Sequence, residues 1–251
     1  MRRVLLFGAL VLAVSCAAIP AAGEGISPVF QIVTYGLATK QWVERGTGFF
    51  INPDGTALTN GHLVFTASTQ PDKYGLLAIV GKEMFDLSVV CATKSDPQGH
   101  VTQEDLVNGD FARVKVGPFD KPFQRWGFTA PNGVFVEQAH AHEGPMPAFP
   151  ALALADAPPS EGDAVTVKGF GHISPIPYEW TATGRVEEVQ EMQYHMFSIR
   201  SPSPPQPGNS GSPVLNARGQ VVGMFTLGGS DQDPDLSWAQ TVTVLKRPCP
   251  R

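Results

Sequence analysis

Glycine and proline interrupt this chain too often for long helices. There are 26 Gly and 23 Pro among its 251 residues, about one residue in five against a usual share near 12%. A helical bundle needs long stretches free of both residues, whereas an all-β barrel or sandwich needs a sharp turn after each short strand. The share stays below that of a disordered or collagen-like chain. Hydrophobic residues make up 42% and charged residues 16%, so there is ample apolar surface for a core. A folded, turn-rich β protein of one domain or two subdomains is expected.

Apolar alternation and β-branched content place short strands near residues 29–35, 46–52, 57–59, 76–80, 84–93 and 111–116, and again near 164–169, 179–189, 195–200, 212–216, 220–226 and 238–244. No segment reads as a convincing helix. Turn signals separate the strands, among them Asn52-Pro53-Asp54-Gly55, Glu161-Gly162-Asp163 and Asn216-Ala217-Arg218-Gly219. Two sets of six predict an all-β fold of two six-stranded antiparallel barrels. The stretch between them, 118–150, is rich in Pro and aromatics, carries one further strand-like run at 133–141, and reads as an elaborated connection.

The chain begins Met1-Arg2-Arg3 and continues with an apolar run from Val4 to Val14, then small residues through Gly23. This is the pattern of a signal peptide over 1–23. The run is about half the length that a membrane-spanning helix needs, so export without a transmembrane segment is expected. Val14-Ser15-Cys16 is similar to a lipobox, although Ala13 stands where Leu is usual, so a lipid anchor at Cys16 is left open beside simple loss of Cys16 with the leader. Without Arg2 and Arg3 the chain carries 16 basic and 23 acidic residues, net −7, which argues against nucleic acid as a partner. Cys91 and Cys249 then form an even pair in an oxidising compartment. They could bridge the body of the fold to its tail or remain two thiols.

The most informative local segment is Pro207-Gly208-Asn209-Ser210-Gly211-Ser212-Pro213. Glycines around a serine let the backbone aim two amides and one hydroxyl at a single point, which is what acyl transfer needs. Upstream, Gly46-Thr47-Gly48-Phe49-Phe50-Ile51 leads through a turn to Leu58-Thr59-Asn60-Gly61-His62, and Asn108-Gly109-Asp110 opens an alternating strand. With these three segments in this order, at intervals of 48 and 100 residues, the chain resembles the chymotrypsin-like (trypsin-like) serine peptidases. It is most similar to their bacterial HtrA-like and glutamyl-endopeptidase-like branches, without a PDZ domain. Val165 to Gly171 also looks like the strand that opens the second barrel of that family.

The resemblance implies a peptidase domain over about 27–247, with barrel one near 29–117, an insertion near 118–150 and barrel two near 151–244. It implies Ser210 as nucleophile, His62 as general base, Asp110 as its orienting acid, and an oxyanion hole at Gly208, Asn209 and Ser210. No cofactor or metal is implied, and the partners are protein or peptide substrates. The neutral Asn209 cannot make the ion pair by which a preceding Asp captures a newly cut N-terminus, so an oxyanion hole formed without that cut is expected.

The specificity residues implied are Pro204, Thr226, Leu227, Gly228 and Leu236. Pro204 stands where an acid would select Arg or Lys. With Leu236 in place of a small residue, a shallow pocket for small aliphatic side chains is expected. His195 leaves open a glutamate-specific alternative, and a catalytically silent binding protein of the same fold is the competitor from another class. His140 and His142 alternate on a strand-like run and read as a surface pair rather than metal ligands. Asp231, Asp233 and Asp235 read as a solvated loop, lacking the further ligands of a calcium site.

Overall fold

The computed structural model describes residues 26–93, 109–171 and 178–249. The expected leader and Cys16 lie outside them. Six strands form barrel one: β1 (Val29–Gly36), β2 (Trp42–Phe50), β3 (Thr56–Thr59), β4 (Tyr74–Val80), β5 (Glu83–Ala92) and β6 (Ala112–Gly117). They run in the order β1-β2-β3-β6-β5-β4, and β4 returns to pair with β1. A hairpin of β7 (Arg125–Thr129) and β8 (Phe135–Ala141) follows, attached by a parallel pairing of β8 with β5. Six more strands, β9 (Ala164–Gly171), β10 (Tyr178–Gln190), β11 (Met196–Arg200), β12 (Pro213–Leu215), β13 (Val221–Leu227) and β14 (Leu236–Thr241), close barrel two in the order β10-β11-β14-β13-β12-β9. The fold is the all-β double barrel of the chymotrypsin-like type.

The alternation that marks these strands has a direct physical cause. In β6, Ala112, Val114 and Val116 are buried while Arg113 and Lys115 reach outward, because successive side chains leave a strand on opposite faces. The same period gives β9 its inner row of Val165 and Val167. Phe30, Ile32, Phe50, Val114 and Phe85 fill barrel one, and Val167, Phe197, Ile199, Val214 and Phe225 fill barrel two. A third cluster joins the two: Val29, Phe49, Leu58 and Phe111 from barrel one meet Val221 and Met224 from barrel two. Each such side chain contributes about 1.5–3 kcal/mol when buried, so this seam fixes how the barrels face each other.

Two departures from the expected pattern bear on function. α1 (His62–Thr69) is a helix, where no helix is expected, and the last predicted strand gives way at Val242 to a helical turn, α2 (Val242–Leu245). α1 buries Leu63, Val64 and Ala67, of which Val64 and Ala67 pack into the core of barrel one. Tertiary burial of one face therefore outweighs the weak intrinsic helix tendency of its Val, Phe and Thr residues. The connection between barrels holds two strands, β7 as well as β8, rather than the single run expected.

Cys91 on β5 and Cys249 near the chain end are joined in a disulfide, with Cα atoms 5.6 Å apart. Among the described residues no helix is long and apolar enough to cross a membrane.

Candidate active site

His62 is the first residue of α1, immediately after the turn that ends β3. A helix start leaves amides without intrahelical partners, and Gly61 has no side chain to cap them. Asp110, fully buried at the entry to β6, supplies the cap from 48 residues away: its Oδ1 accepts the His62 amide at 2.9 Å. Its other oxygen, Oδ2, lies 2.6 Å from His62 Nδ1. One carboxylate thereby fixes both the backbone and the ring of the histidine. With Nδ1–H directed at a carboxylate, Nε2 is left as the basic nitrogen. The His62 side chain is 11% exposed.

Behind Asp110 stands a polar brace. Asn60 Nδ2 donates to the Asp110 carbonyl at 2.9 Å and to Thr226 Oγ1 at 3.1 Å. The Thr226 hydroxyl donates in turn to the Met224 carbonyl at 3.3 Å. These residues come from barrel one and barrel two, so the brace spans the seam.

Ser210 sits in the turn ahead of β12. Gly208 and Gly211 adopt φ of +95° and +84°, a region where a side chain is strained. At Gly211 a Cβ would also run into the Thr47 carbonyl. Two hydrogen bonds from one residue of β2 seat this turn: the Thr47 amide donates to the Ser210 carbonyl at 2.8 Å, and the Thr47 hydroxyl donates to the Gly208 carbonyl at 2.9 Å. The Thr47 carbonyl accepts from Thr59 Oγ1 at 2.7 Å, three residues before His62. Ser210 is thereby held on the edge of barrel one that launches α1. The peptide that carries the Gly208 carbonyl has the Asn209 amide at its other end, and that amide donates to the Gln206 carbonyl at 3.0 Å. Among the described residues the amides of Gly208 and Ser210 donate to no backbone carbonyl. Asn209 also donates its Nδ2 to the Gln206 carbonyl at 3.0 Å, stiffening the approach to Ser210.

Beside Ser210 lies an open cleft of about 550 Å³ on barrel two, walled by Pro204, Pro205, Gln206, Pro207, Phe225, Gly228, Gly229 and Asp231. Of the five residues expected to shape specificity, Pro204 and Gly228 line it. Thr226, Leu227 and Leu236 do not. Thr226 is turned away from the cleft, into the brace. A register irregularity follows between Phe225 and Leu227. Phe225 borders the cleft while packed in the core of barrel two, and Asp231 lines it with a residue that no motif signals.

His195 is not part of this cleft. Its Nδ1 lies 3.2 Å from Glu191 Oε1, and its carbonyl accepts the Thr241 amide. His140 lies 3.7 Å from Glu137, and His142 lies 3.1 Å from Glu83 and stacks on Phe85. No cluster of three or more His, Cys, Asp or Glu suited to a metal occurs among the described residues. Asp233 is held by Arg200 at 2.8 Å.

Residues 46–224 match the family model of the trypsin-like peptidase domain. The chain belongs to this family. Among curated proteins, this trypsin-like peptidase is 26% identical over 209 residues to the glutamyl endopeptidase of Staphylococcus aureus strain MRSA252, covering 79% of this chain and 48% of that one. To the glutamyl endopeptidase of strain MW2 it is 26% identical over 201 residues, covering 76% and 50%. The chain spans about half the length of these relatives. Among solved structures, the active form of the Rv3671c protease of M. tuberculosis superposes with a TM-score of 0.55 at 20% identity, over 87% of this chain and 77% of that one. The serine endoprotease of Yersinia pestis superposes with a TM-score of 0.56 at 16% identity, over 87% and 60%. These last two share its fold.

Proposed function

We propose that this trypsin-like peptidase is an exported serine endopeptidase that cleaves peptide bonds through an acyl-enzyme on Ser210. The observation that carries the reading is the double hold of Asp110 on His62, through the amide and through Nδ1. A cap alone would need only the first contact. In the proposed cycle His62 Nε2 takes the Ser210 proton as Oγ attacks the scissile carbonyl, and Asp110 stabilises the imidazolium. The proton then passes to the leaving amine, and water repeats the sequence to release the acyl group. The amides of Gly208 and Ser210 would receive the oxyanion, each worth about 2.7–4 kcal/mol in the transition state. Asn209 acts as a support for that pair and not as a donor.

The side chain on the acyl side would enter the cleft beside Ser210. Its proline, glycine and Phe225 walls suit an aliphatic residue of small to moderate size. The name of the staphylococcal relatives favours a second reading, cleavage after Glu. Against it stand the Asp231 carboxylate at the cleft and the position of His195, held by Glu191 away from it.

Labelling with a fluorophosphonate probe tests the chemistry: wild type should label and Ser210→Ala should not, with turnover falling on the order of 10⁶. An unlabelled wild type would instead mark a silent scaffold. A peptide panel varying the residue before the cut should favour Ala, Val or Leu. Dominant cleavage after Glu, Arg or Lys would overturn the aliphatic reading.

A further inference from the structure

Barrel one opens toward α1, and the strand face at that opening carries a carboxylate outside the proposed triad. Thr34 of β1 pairs directly with Glu44 of β2, so the two side chains leave the sheet on the same face. The Thr34 hydroxyl donates to the carbonyl of Leu63, the neighbour of His62, at 2.9 Å. Two residues along β2 on that face, a Cβ at Gly46 would run into the Leu63 side chain. The cross-strand neighbour and the same-strand neighbour of Glu44 are therefore both directed at the first turn of α1. Glu44 is half-buried there, and no described residue gives its carboxylate a hydrogen bond.

The charges around it are few. Burial pushes the Glu44 carboxyl up from the ordinary range, His62 pulls it down and Asp110 pushes it up. Arg45 leaves β2 on the opposite face and stacks on Trp42 at 4.2 Å. Of the other strands packed on α1, β1 and β4 contribute only the titratable Tyr35 and Tyr74. The two acids of β5, Glu83 and Asp86, are engaged by His142 and Lys121.

We propose that Glu44 is a second carboxylate acting on His62, holding the imidazolium from the mouth of barrel one while Asp110 holds Nδ1, and thereby setting the acid limit of activity. During acyl transfer the Ser210 proton moves to His62 Nε2 and the ring becomes a cation. A nearby ionised Glu44 stabilises that cation and lets His62 retain its proton to higher pH. Glu44 touches no reacting atom in this scheme. It is a positioning residue that works through the field at His62.

The catalytic part of this inference rests on the peptidase reading above, so the test has a readout independent of turnover. In the Ser210→Ala protein, NMR titration of the His62 ring should show its midpoint moving down by about half a pH unit on Glu44→Gln. Glu44→Asp, which keeps the charge, should restore most of it. In the protein that retains Ser210, the acid limb of kcat/KM should move the same way. An unmoved His62 midpoint in folded Glu44→Gln protein overturns the proposal and leaves the peptidase reading intact. So does an equal shift in Glu44→Asp, which would indicate packing and not charge. If wild type fails to label with the fluorophosphonate, the peptidase reading falls, while the NMR shift still decides whether Glu44 acts on His62.

Discussion

Thr47 Oγ1 donates a 2.9 Å hydrogen bond to the Gly208 carbonyl, joining residues 161 apart in the chain. The same hydroxyl accepts the Phe170 amide of β9 at 3.0 Å, so one side chain of barrel one clasps both the turn around Ser210 and a strand of barrel two. The amide of that same peptide, on Asn209, donates to the Gln206 carbonyl at 3.0 Å, so the peptide between Gly208 and Ser210 is pinned at both ends, and releasing its carbonyl would misplace the flanking amides proposed to receive an oxyanion. Thr47→Val keeps the shape and removes both bonds. Its kcat should fall by about 10- to 100-fold, in line with the cost of misplacing one buried donor, while KM changes little. Thr47→Ser should restore most of the loss. Steady-state kinetics on the three proteins check this; an unchanged kcat in folded Thr47→Val would show that the turn holds its own geometry.

How far the sequence alone reaches is visible in these same residues. The two barrels are legible because a period of two needs only the local order of apolar residues, as in Ala112, Val114 and Val116. His62, Asp110 and Ser210 stand out because their neighbours, the turn before α1 and the Gly-rich turn around Ser210, are contiguous in the chain. Thr47 is not legible as a clasp, since its importance depends on the register that lays β2 beside Gly208. α1 is hidden for a related reason. Its His-Leu-Val-Phe-Thr stretch has little helical preference, and its cap comes from Asp110, 48 residues on. The cleft walls are least legible of all, because the loops that bring Asp231 to Ser210 and keep Leu236 away obey no periodicity.

The disulfide between Cys91 and Cys249 closes a loop of 158 residues. Near it Arg113 Nη2 donates to the Arg247 carbonyl at 3.3 Å, so the tail is held to β5 and β6 by a covalent bond and a weaker polar one. Cross-linking across so long a loop mainly restricts the unfolded chain and typically contributes about 2–4 kcal/mol. Cys249→Ser, or reduction of the wild type, should therefore lower Tm by roughly 5–15 °C for a chain of this size, with the peptidase turnover at 25 °C little affected. A thermal melt with and without reductant is the measurement. An identical Tm after both thiols have been shown to react would mean that the tail stays docked without the bond.

Asp86 and Asp120 share one cation. Lys121 Nζ lies 2.9 Å from Asp86 Oδ2 and 2.9 Å from Asp120 Oδ1, and Asp86 Oδ1 is buried without a partner. Burial first, and then the neighbouring Asp120, push the Asp86 carboxyl up to about 6, against the opposing pull of Lys121. A carboxyl that is easier to protonate in the fold than in the unfolded chain stabilises the fold at low pH. That stability is lost as pH rises from about 4 through about 6, because over this window the folded state holds the extra proton. Asp86→Asn mimics the protonated form at every pH. Its Tm should therefore lose less than that of wild type between pH 4.5 and pH 7, and at pH 7 the variant should match or exceed wild type. If Lys121 instead makes ionised Asp86 a net stabiliser, the variant will melt below wild type at pH 7 and the difference will shrink toward pH 4.5, the opposite sign.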